Sequence, residues 1–162
     1  MQSAVYDGCM KASFILLAGA DLLLLSLTAI MGFSVHGMDR FHQHFLLGVL
    51  SGLFTSFVHV LVFVYFIVQE KIIKQSILHD GLGASFAGRI DAMKSRILRL
   101  SMIGIASMVI TIALGAAIGS FFPPTVHLIA ALTALLANML LFVLQYDLLD
   151  RYGLLFHEAF HE

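Results

Sequence analysis

Eight of the 162 residues are histidine, and two groups of them have spacings that suit metal ligation. The last six residues read HEAFHE, in which His157-Glu158-Ala159-Phe160-His161 matches H-E-x-x-H. On a helix this pattern stacks two imidazoles one turn apart with a carboxylate beside them, as zinc proteases use it to hold metal and general base. The second group is scattered: His36, His42, His44 and His127, with Asp39 nearby. Imidazole sets of this kind suit copper or zinc. Two histidines facing each other from different helices also suit haem b. Which group carries chemistry depends on the elements that hold it.

Those elements are membrane spans. The chain is 60% hydrophobic, has a mean hydropathy of +0.97 and only 12% charged residues. A soluble domain carries roughly a quarter charged residues. Lipid must therefore be the solvent for much of this surface. Four apolar stretches, about 12–34, 44–68, 98–122 and 125–146, each exceed the ~20 residues that a helix needs to cross. A span must be helical to satisfy its own backbone. The sequence thus predicts an all-α integral membrane four-helix bundle forming one domain over 1–162. The first span is too long for the apolar core of a cleavable signal peptide and lacks its cleavage site. The net charge of −1 argues against a nucleic-acid partner. The single cysteine, Cys9, excludes an internal disulfide and any Cys-rich cluster.

Lys and Arg set the expected orientation. Lys11, Lys71, Lys74, Arg89, Lys94, Arg96, Arg99 and Arg151 fall on one side, and Arg40 alone on the other. Positive charge marks the inside. The expected location is the inner, cytoplasmic membrane, with both termini and the central loop in the cytoplasm. Segment 69–94 holds Gly81, Gly83 and Gly88. It reads as two amphipathic pieces around a turn, whose basic residues suit anionic lipid. A short helical tail ends the chain.

Each span carries one polar or small stripe. In the second, His44 and His59 lie 15 residues apart, within about 60° of one face and ~22 Å along the axis. Gly48, Gly52 and Thr55 share that face, with Ser51 and Ser56 at its edges. The stripe reads either as a Gly-x-x-x-Gly helix seam or as a cofactor face. The fourth span carries His127, Ala131, Ala134, Asn138 and Gln145. The first carries Ala18, Asp21, Thr28, Gly32 and His36. The third carries Ser101, Gly104, Thr111 and Gly115. Inward-facing stripes make a bundle, and ionisable groups within it are functional candidates.

Depth brings His36, His42, His44 and His127 to one outer end. Asp21 and His59 lie at comparable depth and could pair. Three readings of function follow. In the first, His44 and His127 hold one haem b, with His59 serving an inner cofactor or a quinone. This makes the chain a subunit of a respiratory or other redox membrane complex. The layout resembles membrane cytochrome b subunits, an analogy of arrangement that carries no residues over. In the second, His36, His42, His44 and His127 bind copper or zinc. In the third, the chain is a structural accessory subunit without a cofactor, packed against other membrane subunits. Proton or ion transport through Asp21, His59 and Asn138 is less favoured, because neither an inverted repeat nor a broken helix is evident. No catalytic residue set emerges, so the chain is not expected to be an enzyme on its own. H-E-x-x-H is not expected to be a protease site. A third zinc ligand would have to come from His79, Asp147 or Asp150, and no cleft-forming domain accompanies it.

Overall fold

The computed structural model describes residues 2–35, 37–80, 84–118 and 121–161, with side chains except at 2–7, 73–74, 76–80, 84–86, 156–157 and 159–161. Four long helices make up the fold: α1 (Gln2–Phe33), α2 (Met38–Asp80), α3 (Ala84–Ala116) and α4 (Pro124–His161). All four are long and apolar enough to cross a membrane. Their exposed faces are rich in Leu, Ile, Val and Phe, such as Leu16, Leu23, Leu53 and Leu136. In water such a surface would drive aggregation; in lipid it is the solvated face.

Neighbours in sequence are neighbours in space. α1 packs on α2, α2 on α3, α3 on α4, and α4 closes back on α1. α2 and α4 touch across one diagonal. Short connections make this an up-and-down bundle with two ends. The connection end holds the α1–α2 and α3–α4 links. The terminal end holds the beginnings of α1 and α3 and the far ends of α2 and α4.

The links have local causes. Gly37 sits at φ 88°, a left-handed conformation that glycine adopts without a Cβ penalty. Its carbonyl accepts the Phe41 amide at 3.2 Å, opening α2, and Asp39 lies in that first turn where the helix dipole favours an acid. α4 opens on Pro124, whose fixed φ and missing N–H suit a first helical position. Helix α3 stops at Ala116, short of the apolar stretch that runs to 122. Pro123 disfavours helix in the residue before it, Phe122.

At the other end the helices outrun the membrane. α2 has 43 residues, roughly 65 Å at 1.5 Å per residue, against a ~30 Å hydrocarbon layer. The amphipathic pieces expected over 69–94 are continuations of α2 and α3. The expected C-terminal tail is likewise the unbroken end of α4. Ion pairs tie this end: Lys11 to Asp150 at 2.8 Å, Lys94 to Glu70 at 2.8 Å, and Arg89 to Glu158 at 3.3 Å. Beneath them Phe14, Val58, Val62, Phe66, Phe142 and Tyr152 belong to the buried apolar core.

The two hairpins repeat one another. Thr111, Gly115 and His127 each lie 83 residues after Thr28, Gly32 and His44. The same offset carries buried Phe14, Ala18 and Leu25 onto buried Ile97, Ser101 and Met108. It also carries Val58, Val62 and Phe66 onto Leu141, Gln145 and Leu149, again all buried. The matching positions and the up-and-down order suit a pseudo-two-fold axis along the bundle that relates α1–α2 to α3–α4. This is a parallel repeat, distinct from the inverted repeats of many transporters.

Candidate functional site

A cavity of about 390 Å³ opens between all four helices at the connection end. Its polar lining includes Thr28, His44, Ser51, Thr111 and His127; most of the remainder is apolar. The volume lies within the ~300–1,000 Å³ usual for small-molecule sites.

His44 on α2 and His127 on α4 meet across the pseudo-axis. Their ring centroids are 6.1 Å apart, at an interplanar angle of 75°. Each ring is seated on a glycine of the helix preceding it. A Cβ at Gly32 would lie 3.1 Å from His44 Cε1, and one at Gly115 would lie 2.9 Å from His127 Cε1. The His127 ring also meets the backbone of the threonine four residues before its glycine: the Thr111 carbonyl lies 3.2 Å from His127 Nδ1. His44 Nδ1 is buried and has no hydrogen-bond partner, a costly state for a polar atom unless a ligand meets it. His127, anchored through its Nδ1, is arranged as metal-ligating histidines are.

The remaining predicted residues are placed differently. His42 is exposed on α2, with its ring against Phe41. His36 lies outside the described residues. Among the described residues no group of three or more His, Cys, Asp or Glu is placed to hold one metal ion. The expected cluster therefore comes down, where it is described, to the pair His44 and His127.

His59 stands below the cavity, fully buried. Its Nε2 lies 2.9 Å from Asn138 Oδ1, and Gln145 Nε2 lies 2.9 Å from its Nδ1. Asn138 donates to the Ala134 carbonyl and to Ser107 Oγ, which leaves its oxygen to accept from His59 Nε2–H. Gln145 Nε2 also reaches Ser101 Oγ, and Ser101 donates to the His59 carbonyl. Both ring nitrogens are thereby engaged, and His59 pins α2 to α3 and α4. Its ring stacks on Phe142 at 5.0 Å. It occupies the space that a side chain at Gly104 would need.

Asp21 does not pair with His59. Thr55 Oγ1 lies 2.9 Å and 3.1 Å from its two carboxyl oxygens. Comparable depth was legible, but which face each side chain takes was not. One turn above Thr55, Ser51 Oγ lies 2.7 Å from Thr28 Oγ1 at the cavity wall.

The H-E-x-x-H segment lies on the last turns of α4. Glu158 is held by Arg89, with both guanidinium contacts at 3.3 Å. Asp147 is paired with Arg151 and Asp150 with Lys11. The side chains of His157, His161 and His79 lie outside the described set.

The signal that the sequence reading missed is the parallel repeat. T-x3-G-x11-H occurs at Thr28, Gly32, His44 and again at Thr111, Gly115, His127. It names the two glycines that seat the rings.

Four apolar helices of spanning length, packed around a buried polar layer and lipid-suited outside, define a four-span integral membrane protein. Comparison with protein-family models, curated proteins and solved structures gave no match to this chain.

Proposed function

We propose that the chain is a small subunit of a redox membrane complex and that His44 and His127 hold one haem b in the cavity. The observation that carries this reading is the facing pair itself. A metal bound by one nitrogen of each imidazole lies ~2.0–2.1 Å from both, which places the ring centroids roughly 6 Å apart. The rings stand at 6.1 Å. Haem iron takes four ligands from its own porphyrin and one or two from the protein, whereas zinc takes three or four protein ligands. With two converging histidines, haem is the better match. The group would supply one-electron transfer. The chain's own part is to orient His127 through the Thr111 backbone and to seat the two rings on Gly32 and Gly115. The Lys and Arg distribution supports placing the cavity at the outer leaflet, with the ion-paired terminal end in the cytoplasm.

Met108 favours copper as a second reading. It lines the same cavity, and a thioether beside two imidazoles suits Cu(I). An accessory subunit with no cofactor is the third.

The test is a dithionite-reduced minus oxidised visible spectrum of the purified protein, with metal analysis of the same sample. A b-type α band at one haem per chain, lost in His44→Ala and in His127→Ala, is the expected result. Stoichiometric copper without the band selects the second reading. A blank spectrum with no metal sinks both and leaves the accessory subunit.

A further inference from the structure

Asp21 is completely buried midway along α1, and no described cation pairs with it. An ionisable group at that depth is expensive and marks a function by default. Its pseudo-symmetry equivalent is Gly104, so the repeat does not require an acid here.

The hydrogen bonds around it have two consistent arrangements. Thr55 Oγ1 lies 2.9 Å and 3.1 Å from the carboxyl oxygens and 2.9 Å from the Ser51 carbonyl. A hydroxyl carries one proton and two lone pairs. If Asp21 is ionised, Thr55 donates to the carboxylate, and the Ser51 carbonyl keeps its own helical bond. If Asp21 is protonated, its O–H donates to Thr55, and Thr55 donates to Ser51. Rotation of one hydroxyl hydrogen serves both states without moving a heavy atom.

The surroundings are one-sided. Toward the connection end, Ser51 lies one turn from Thr55 and lines the cavity with Thr28. Toward the terminal end, Phe14, Ala18, Val58, Val62 and Phe66 belong to the buried apolar core. Among the described helices packed on α1, α2 presents Thr55 and then His59, whose nitrogens are engaged with Asn138 and Gln145. At this level α4 presents Asn138, Phe142 and Gln145, which carry no charge. Other ionisable groups include His44 and His127 at the cavity and, toward the terminal end, Arg99, Tyr152, Glu70 and the Lys11–Asp150 pair.

We propose that Asp21 and Thr55 form an intramembrane proton-binding site that exchanges only with the cavity side of the bundle. On release, the Asp21 O–H bond breaks and its electron pair stays on the carboxylate. A water that reaches Asp21 from the cavity side takes the proton as hydronium, and the Thr55 hydrogen turns from Ser51 to the carboxylate. Uptake is the reverse. If the histidine pair holds a redox group, protonation of Asp21 offsets the charge of an added electron in this low-dielectric interior. That coupling rests on the proposed function; the proton site does not.

The test is infrared spectroscopy of the protein oriented in proteoliposomes, with pH varied on one side at a time. A protonated-carboxyl C=O band is expected, absent in Asp21→Asn and moved in Asp21→Glu. Thr55→Val should shift its frequency and Thr55→Ser should restore it. The band should titrate with pH on the connection side and ignore the terminal side. No such band, a band retained in Asp21→Asn, or titration from the terminal side overturns the proposal. None of these readouts needs a cofactor, so they separate failure of the proton site from failure of the haem reading.

Discussion

In the α1–α2 hairpin, the level below the cavity holds Asp21, Thr55 and His59. In the α3–α4 hairpin, the equivalent positions hold Gly104, Asn138 and Phe142. Above that level the halves agree: threonine, glycine and histidine recur at one spacing, and each histidine ring is seated on its glycine. The difference shows where the bundle tolerates asymmetry. A ligand on the axis needs matching groups from both sides, so the cavity keeps its repeat. The layer beneath must satisfy every polar atom away from water. It does so by complementing unlike residues: His59 fills the space at Gly104, and Asn138 and Gln145 meet its two nitrogens.

The largest expected effect comes from breaking the repeat at the cavity. If both rings ligate one group, His44→Ala and His127→Ala should each abolish its spectrum, and the double variant should be no worse. Titration with added haem or copper is the measurement. A single variant that keeps full occupancy would show that its histidine is not a ligand.

Next comes the layer below. Gly104→Ala places a methyl group in the His59 ring, and overpacking of this kind costs about 1–3 kcal/mol. His59→Phe copies the other half but strands Asn138 and Gln145, at about 1–3 kcal/mol for each unpaired group. The triple variant His59→Phe, Asn138→Thr, Gln145→Val extends the copying to the partners, since Thr55 and Val62 are their equivalents. It should melt above the single variant in detergent. If the triple melts lower, the layer depends on its hydrogen bonds in themselves rather than on polar satisfaction.

The seats of the rings should respond more mildly. Gly32→Ala and Gly115→Ala place a Cβ 3.1 Å and 2.9 Å from the histidine Cε1 atoms. Each should weaken ligand affinity by ~10-fold or more, as outer contacts of metal ligands commonly do. Gly115→Ala should have the larger effect. Equal affinity in both variants and the parent would mean that the rings can tilt freely.

The sequence made some of this legible and hid the rest for physical reasons. Spans follow from apolar length, because lipid leaves the backbone no alternative to helix. His44 and His127 could be brought together because both open a span at one end, so depth alone sufficed. Depth did not assign partners within the bundle. Asp21 and His59 share a level, yet one meets Thr55 and the other Asn138 and Gln145. That choice depends on how each helix is rotated, which a pattern of small and polar residues fixes only loosely. The end of α3 at Ala116 was hidden because the link that follows is as apolar as the span. The repeat was open to view, but its apolar positions interchange freely and only Thr, Gly and His keep it.

The smallest effect tests the comparison at a single hydroxyl. Thr28 and Thr111 are equivalent, and both bond back to a carbonyl of their own helix, at 2.8 Å in each case. Thr28 has in addition the Ser51 hydroxyl at 2.7 Å. The equivalent of Ser51 is Ala134, so Thr111 finds only the Ala130 carbonyl at 3.5 Å. Interhelical side-chain hydrogen bonds within membranes average ~0.6 kcal/mol, because the separated helices also find partners. Ser51→Ala should therefore cost about that much, and Thr28→Val slightly more than Thr111→Val. In the Ser51→Ala background the two threonine variants should become equal within error. A persistent gap between them would place the asymmetry in the backbone of the hairpins rather than in this one pair of hydroxyls.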